Sequence, residues 1–175
     1  MPFDTQEDLL PEATSLTTSD FWRIVKDTGG GAMSSQIIKP FAINTSWVPG
    51  WTNVTIGNAT VAAKYVRAGG LVVFRLNVTF GSTTSVSGNI SFSLPVTAES
   101  VSLATPIGIL RMLDSSASAA YGGAIQQTVG GVCQLVVYDA SATYLNGGTA
   151  INATIPFTWA TGDTIACSGT YLAST

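Results

Sequence analysis

The stretch RLNVTFGSTTSVSGNISFSL, residues 75–94, decides the fold class. On either side of its Gly81 to Gly88 loop, Leu76, Val78 and Phe80, then Ile90, Phe92 and Leu94, fall on one parity. Asn77, Thr79, Asn89, Ser91 and Ser93 fall on the other. Side chains alternate between the two faces of a strand, so the pattern predicts a β-hairpin with one apolar face and one face of amides and hydroxyls. Soluble monomers usually cover an outer face with lysine and glutamate. This neutral face is therefore expected to meet another protein surface.

Outward from the hairpin, everything after Pro40 reads the same way: short β-branched and aromatic runs divided by Gly, Ser, Asn and Pro. The spacing predicts strands at about 51–56, 60–67, 71–80, 88–94, 106–113, 120–126, 131–138, 149–158 and 163–172. In the eighth, Ile151, Ala153, Ile155 and Phe157 alternate with Asn152, Thr154 and Pro156, and a proline there implies an edge or an end. No helical periodicity interrupts them. The expected fold is all-β, an antiparallel β-sandwich or jelly-roll head over residues 40–175. Its edge strands carry few lysines, so a neighbouring subunit is the expected cover.

Residues 1–39 differ. They hold six acids (Asp4, Glu7, Asp8, Glu12, Asp20, Asp27) against three bases (Arg23, Lys26, Lys39), whereas residues 40–175 hold four of each, so the net charge of −3 belongs to the first segment. One short apolar stretch (Phe21, Trp22, Ile24, Val25) cannot build a core, and residues 1–39 are expected to form an extended docking arm that orders on a partner. Only 10% of the chain is charged, against about 25% in an average soluble protein, which fits a surface largely covered by other protein.

These features exclude several function classes. No basic patch offers the electrostatic footprint of a nucleic-acid binder. No apolar run is long enough to span a bilayer, and Met1-Pro2-Phe3-Asp4 does not open a signal region, so no membrane partner and no export by a signal peptide are expected. With no histidine, the Ser-His-Asp and Cys-His arrangements and most zinc sites are removed, and Cys133 has no base to activate it. Cys133 and Cys167 both fall on the apolar parity of their strands and read as two buried small residues, with a disulfide between them as the alternative. Asp139 and Asp163 stand beside turns and read as turn-capping residues. Gly29-Gly30-Gly31 lacks the following Lys-Ser/Thr of a phosphate loop. The six Asn-X-Ser/Thr triplets, at Asn44, Asn53, Asn58, Asn77, Asn89 and Asn152, read as the polar half of strand alternation. No enzyme activity, cofactor or metal is expected.

Two stretches carry a resemblance. WVPGWTNVTIGNATVAAKYVRAGGLVVFRLNVTFGSTTSVSGNISFSLPVTA, residues 47–98, resembles a segment recurrent in bacteriophage minor virion proteins. It has tryptophans entering a strand, a G-N-A-T turn, a K-Y-V-R-A-G-G hairpin, a long strand, then F-G-S-T-T-S-V-S-G and S-L-P. LPEATSLTTSDFWRIVKDTGGGAMSSQI, residues 10–37, is similar to the opening of phage tail-fibre and spike proteins. The resemblance implies a homotrimer whose β-sandwich heads pack around a threefold axis, with the arm docked on a capsid or tail protein at the virion surface after assembly in the host cytoplasm. Phe21, Trp22, Ile24 and Val25 are then the docking anchors. Asn77, Thr79, Asn89 and Ser91 are the expected trimer interface, with Trp47 and Trp51 as the other candidate region. No coiled-coil, collagen-like or β-helix repeat separates arm from head, which favours a capsid decoration (cement) protein. The alternative is a short tail fibre or receptor-binding knob, in which Tyr121 and Tyr144 would stack on a host-surface glycan or contact a receptor protein.

Overall fold

The computed structural model describes residues 22–27 and 33–38 by their backbone, and residues 44–129, 131–140 and 145–174, with Asn146 also by backbone alone. The chain forms two compact units, Met1–Phe41 and Ala42–Thr175. In the first, β1 (Trp22–Asp27) and β2 (Met33–Ile38) pair antiparallel, with Trp22 opposite Ile38 and Asp27 opposite Met33.

The second unit is all-β, with no helix among the described residues. Its strands are β3 (Thr45–Ser46), β4 (Trp51–Thr55), β5 (Thr60–Ala68), β6 (Leu71–Thr79), β7 (Ser85–Ser93), β8 (Thr105–Asp114), β9 (Ala119–Gln127), β10 (Val132–Asp139), β11 (Asn146–Ala150) and β12 (Thr164–Leu172). They form one antiparallel sheet in the order β3-β5-β6-β12-β8-β9-β10-β7-β4, with β11 pairing Val136–Asp139 of β10 beyond the Val132–Gln134 stretch that pairs with β7. The sheet curls on itself. Phe74 of β6 and Phe92 of β7, strands separated in that order by four others, pack with ring centroids 6.2 Å apart.

The curl buries Val72, Phe74, Leu76 and Val78 of β6 against Ile90 and Phe92 of β7, Leu110 and Met112 of β8, Ile125 of β9, Leu135 of β10 and Ile165 of β12. Each such side chain contributes about 1.5–3 kcal/mol relative to exposure, which is what holds a curled sheet closed. One stretch of chain joins its two ends. β3 pairs with β5, β4 pairs with β7, and Trp47–Gly50 cross between them. The Trp47 amide donates to the Ala63 carbonyl at 3.2 Å, and Gly50 and Ser93 exchange bonds at 2.8 Å. Short strands on one continuous segment thus form the two ends of the sheet path, β3 pairing with β5 only at Thr45 and Ser46.

Two expectations need correction. Strands β6 and β7 alternate as read, but they are not a hairpin: β6 pairs with β5 and β12, and β7 with β10 and β4. Alternation sets the face a residue takes and not the strand it pairs with, and here the loop between them crosses the core. Residues 149–158 are not one strand either: only Thr149 and Ala150 lie in a strand, as the end of β11. The chain leaves the ladder after Ile151, whose amide donates to the Leu135 carbonyl and whose carbonyl accepts from the Ile90 amide. Beyond it, Asn152 Oδ1 accepts from the amides of Thr154 (3.0 Å) and Ile155 (3.1 Å). An asparagine that bonds its own backbone offers an alternative to the sheet. The Ile155–Pro156 peptide is cis. Ile151 and Phe157 are still buried, so the alternation recorded core contacts made from a looped backbone.

Candidate functional site

The outer face of β5, β6, β12 and β8 is built by register. Lys64, Arg75, Ser168 and Ile109 form one row across the four strands, and Ala62, Asn77, Ala166 and Arg111 form the next. Beyond the first row, Val66 faces Val73 and Thr170, and Ala68 faces Leu71 and Leu172. The face exposes four large apolar side chains, Leu71 (44%), Val73 (47%), Ile109 (71%) and Leu172 (55%). Leu71 faces Leu172 in register with Val73 next on the same side of β6, and exposed apolar side chains gathered on one sheet face are the chemistry of a candidate interaction surface.

Its charge is one-sided. Lys64, Arg75 and Arg111 rise from these rows and no carboxylate does. Lys64 and Arg75 are directly opposite across β5 and β6, a pairing that destabilises a sheet unless an anion is brought to it. The small side chains of β12, Ala166 and Ser168, leave a groove of about 200 Å³ between Arg75 and Asn77 on one side and Ile109 and Arg111 on the other. A second hollow of about 400 Å³, lined by Asn44, Lys64, Val66 and Val73, shares Arg75 and Ser168 with it.

The opposite surface, over β7, carries Asn89 and Ser91. Because β6 and β7 face each other through the core, Asn77 and Thr79 point away from Asn89 and Ser91. The four are exposed or half-exposed as read, but they form two separate patches. Much of the remaining amide and hydroxyl content holds loops. Asn58 clamps the 80–84 loop: its Oδ1 accepts from the Thr83 amide and hydroxyl, and its Nδ2 donates to Ser82 Oγ at 3.1 Å. Thr84 Oγ1 donates to the Ile56 carbonyl at 2.8 Å. Asn53, held at a φ of 59°, donates from Nδ2 to the Asn89 carbonyl at 2.9 Å.

Trp47 and Trp51 are half-buried within the fold. Trp47 stands edge-on between Tyr65 (6.3 Å) and Phe74 (6.0 Å), and Trp51 packs on Phe92 at 5.7 Å. Tyr121 belongs to β9 and not to a loop; it faces Met112 in register and packs on Phe157 at 5.3 Å. Trp22, Ile24 and Val25 lie in β1, while Phe21 and Tyr144 fall outside the described residues.

The acids divide by role. Asp163 is fully buried and caps two turns at once, Oδ1 accepting from the Ser115 amide (2.9 Å) and hydroxyl (3.0 Å) and Oδ2 from the Ala160 amide (2.6 Å). Asp114 accepts from Ser116 Oγ at 2.7 Å and from the amides of Ser116 and Ala117; these bonds, led by the Ser116 hydroxyl, hold its carboxyl below its ordinary range. Cys133 and Cys167 are buried free thiols, pushed up to about 12 by burial. Among the described residues no three His, Cys, Asp or Glu side chains come together as a metal site would require.

Sequence reading concentrated on neutral polar positions and passed over Arg75, Arg111 and Ile109. Their signal was present: Leu71, Val73, Ile109 and Leu172 sit on the outward parity of their strands, where a solvated face would be polar. No family model, curated protein or solved structure matches the chain.

Proposed function

We propose that this protein is a non-enzymatic bacteriophage virion structural protein, a homotrimeric decoration protein that sits on the capsid surface and is fastened through residues 1–39. The observation that carries the self-assembly in this reading is the outer face of β5, β6, β12 and β8, which exposes Leu71, Val73, Ile109 and Leu172. Such a face is stable in solution when other protein covers it. The virion assignment is supported by the resemblance of residues 10–37 and 47–98 to phage appendage proteins.

A threefold ring has heterologous interfaces, in which one surface of a subunit meets a different surface of the next. The two separate polar patches, Asn77 with Thr79 and Asn89 with Ser91, suit that arrangement. Asn89 and Ser91 bring no charge whose desolvation would have to be offset, while Asn77 stands beside Arg75 and Arg111, which need an anionic partner. Trp22, Ile24 and Val25, with Phe21, are the anchors of the arm on its capsid partner.

Immunogold labelling of purified particles under the electron microscope tests the assignment. Labels over the head support decoration. Labels confined to the tail replace it with a short tail fibre, and particles without label remove the virion assignment. Trp22→Ala with Ile24→Asp is expected to abolish particle binding while the oligomer persists.

A further inference from the structure

We infer that the basic, apolar groove across β5, β6, β12 and β8 receives the acidic first segment, residues 3–12, of a neighbouring copy, with carboxylates on Arg75 and Arg111 and Leu10 beside Ile109. The inference deepens the proposed self-assembly and rests on it.

Charge complementarity carries the argument. Residues 1–20 contain five acids and no base, while the groove rows contain Lys64, Arg75 and Arg111 and no acid. Among the described residues none of these three cations has a carboxylate partner, and Lys64 opposes Arg75 directly. Like charges held opposite one another are relieved by an anion between them.

Spacing agrees with charge. Arg75 and Arg111 flank β12, opposite Ser168 and Ala166 respectively. Strand spacing and rise put their Cα atoms about 12 Å apart. In an extended chain Asp4, Asp8, Leu10 and Glu12 project to one side, and residues four apart are separated by about 13–14 Å. Two carboxylates of that face reach both guanidinium groups, and Leu10 falls between Asp8 and Glu12, where Ile109 lies beside Arg111. An anionic polysaccharide would satisfy the cations but leave Ile109 and Val73 uncovered, which favours a protein segment bearing leucine.

The test is a charge swap in the full chain, read as oligomer mass by sedimentation at low and high salt. Arg75→Glu with Arg111→Glu is expected to raise the dissociation constant between copies by about tenfold or more, and salt is expected to weaken the wild-type protein. Adding Asp4→Lys, Asp8→Lys and Glu12→Lys to the arginine variant is expected to restore association, which a folding defect would not allow. Association unchanged in the arginine variant, or not restored by the swap, overturns the inference while an oligomeric wild type keeps the assembly reading intact. A monomeric wild type removes that reading itself. Loss of binding to an acidic host polysaccharide with association unchanged would assign the groove to a glycan instead.

Discussion

Asn58 and Thr83, 25 residues apart, are joined through a single acceptor: Asn58 Oδ1 takes hydrogen bonds from both the amide and the hydroxyl of Thr83, each at 2.9 Å. The contact is returned, since Thr83 Oγ1 accepts from the Asn58 amide at 2.9 Å. This clasp joins the turn after β4 to the loop that carries the chain from β6 across the core to β7. Its fit is close: a Cβ on Gly81 would stand 2.1 Å from Asn58 Oδ1, and one on Gly57, at a φ of 53°, would stand 2.4 Å from the Thr83 carbonyl oxygen.

Asn58→Ala removes the two bonds to Oδ1 and the Nδ2 bond to Ser82 from a partly solvated site, and keeps the bond from the Asn58 amide. It is expected to lower stability by about 1–2 kcal/mol in urea unfolding. Asn58→Asp keeps the acceptor for Thr83 and is expected to cost less. Equal losses in the two variants would show that Oδ1 is not what holds the loop.

Asp163 makes a second junction at the same end of the sheet, just before β12 and beside Phe80, holding Ser115 and Ala160 from a fully buried position. Asp163→Ala leaves two amides without their acceptor and is expected to cost about 3 kcal/mol, read from the denaturant midpoint at unchanged slope. Ser115→Ala removes only the hydroxyl donor and is expected to cost about 1 kcal/mol.

These two junctions explain which parts of the fold were legible. Strands such as Leu71–Thr79 and Thr164–Leu172 were readable because a period of two over nine residues reports burial directly. The partner of each strand was not, because the ladder joins segments distant in sequence, as Leu71–Thr79 with Thr164–Leu172, and alternation carries no mark of the partner; Asn58 to Thr83 is likewise a contact between distant loops. The same limit hid the loop at 151–160, where the Asn152 side chain replaces ladder bonds although Ile151 and Phe157 keep their inward alternation. The outer face was half legible: Asn77 was placed outward, but the groove beside it exists only because register sets Ala166 between Asn77 and Arg111.

Trp47 supplies a test of the crossing segment. Its ring packs on Tyr65 and Phe74, but among the described residues its buried Nε1–H has no hydrogen-bond partner. Trp47→Ala is expected to lose about 3 kcal/mol by emptying the space between those rings. Trp47→Phe loses some contact area yet removes an unsatisfied donor that costs about 1–3 kcal/mol, so it is expected to stay within about 1 kcal/mol of wild type. A Phe variant as damaged as the Ala variant would mean that the indole N–H has a partner in solution.

Cys133 and Cys167 yield the pH dependence. Burial raises both thiols from 9.0 to about 12, and the neighbouring Cys133 adds to the rise at Cys167. The thiolate is the reactive form, so neither residue is expected to react with iodoacetamide at pH 8 until the protein is unfolded. The folded state holds its thiol protons more tightly than the unfolded chain does. This stabilisation is therefore complete below the unfolded thiol pKa and is lost as pH rises from about 9 toward 12. The urea midpoint is expected to fall across that window, and less steeply in the Cys133→Val, Cys167→Val double variant. An equal fall in both proteins would assign the alkaline loss to other groups, with Tyr171, also raised to about 12 chiefly by burial, the first to examine.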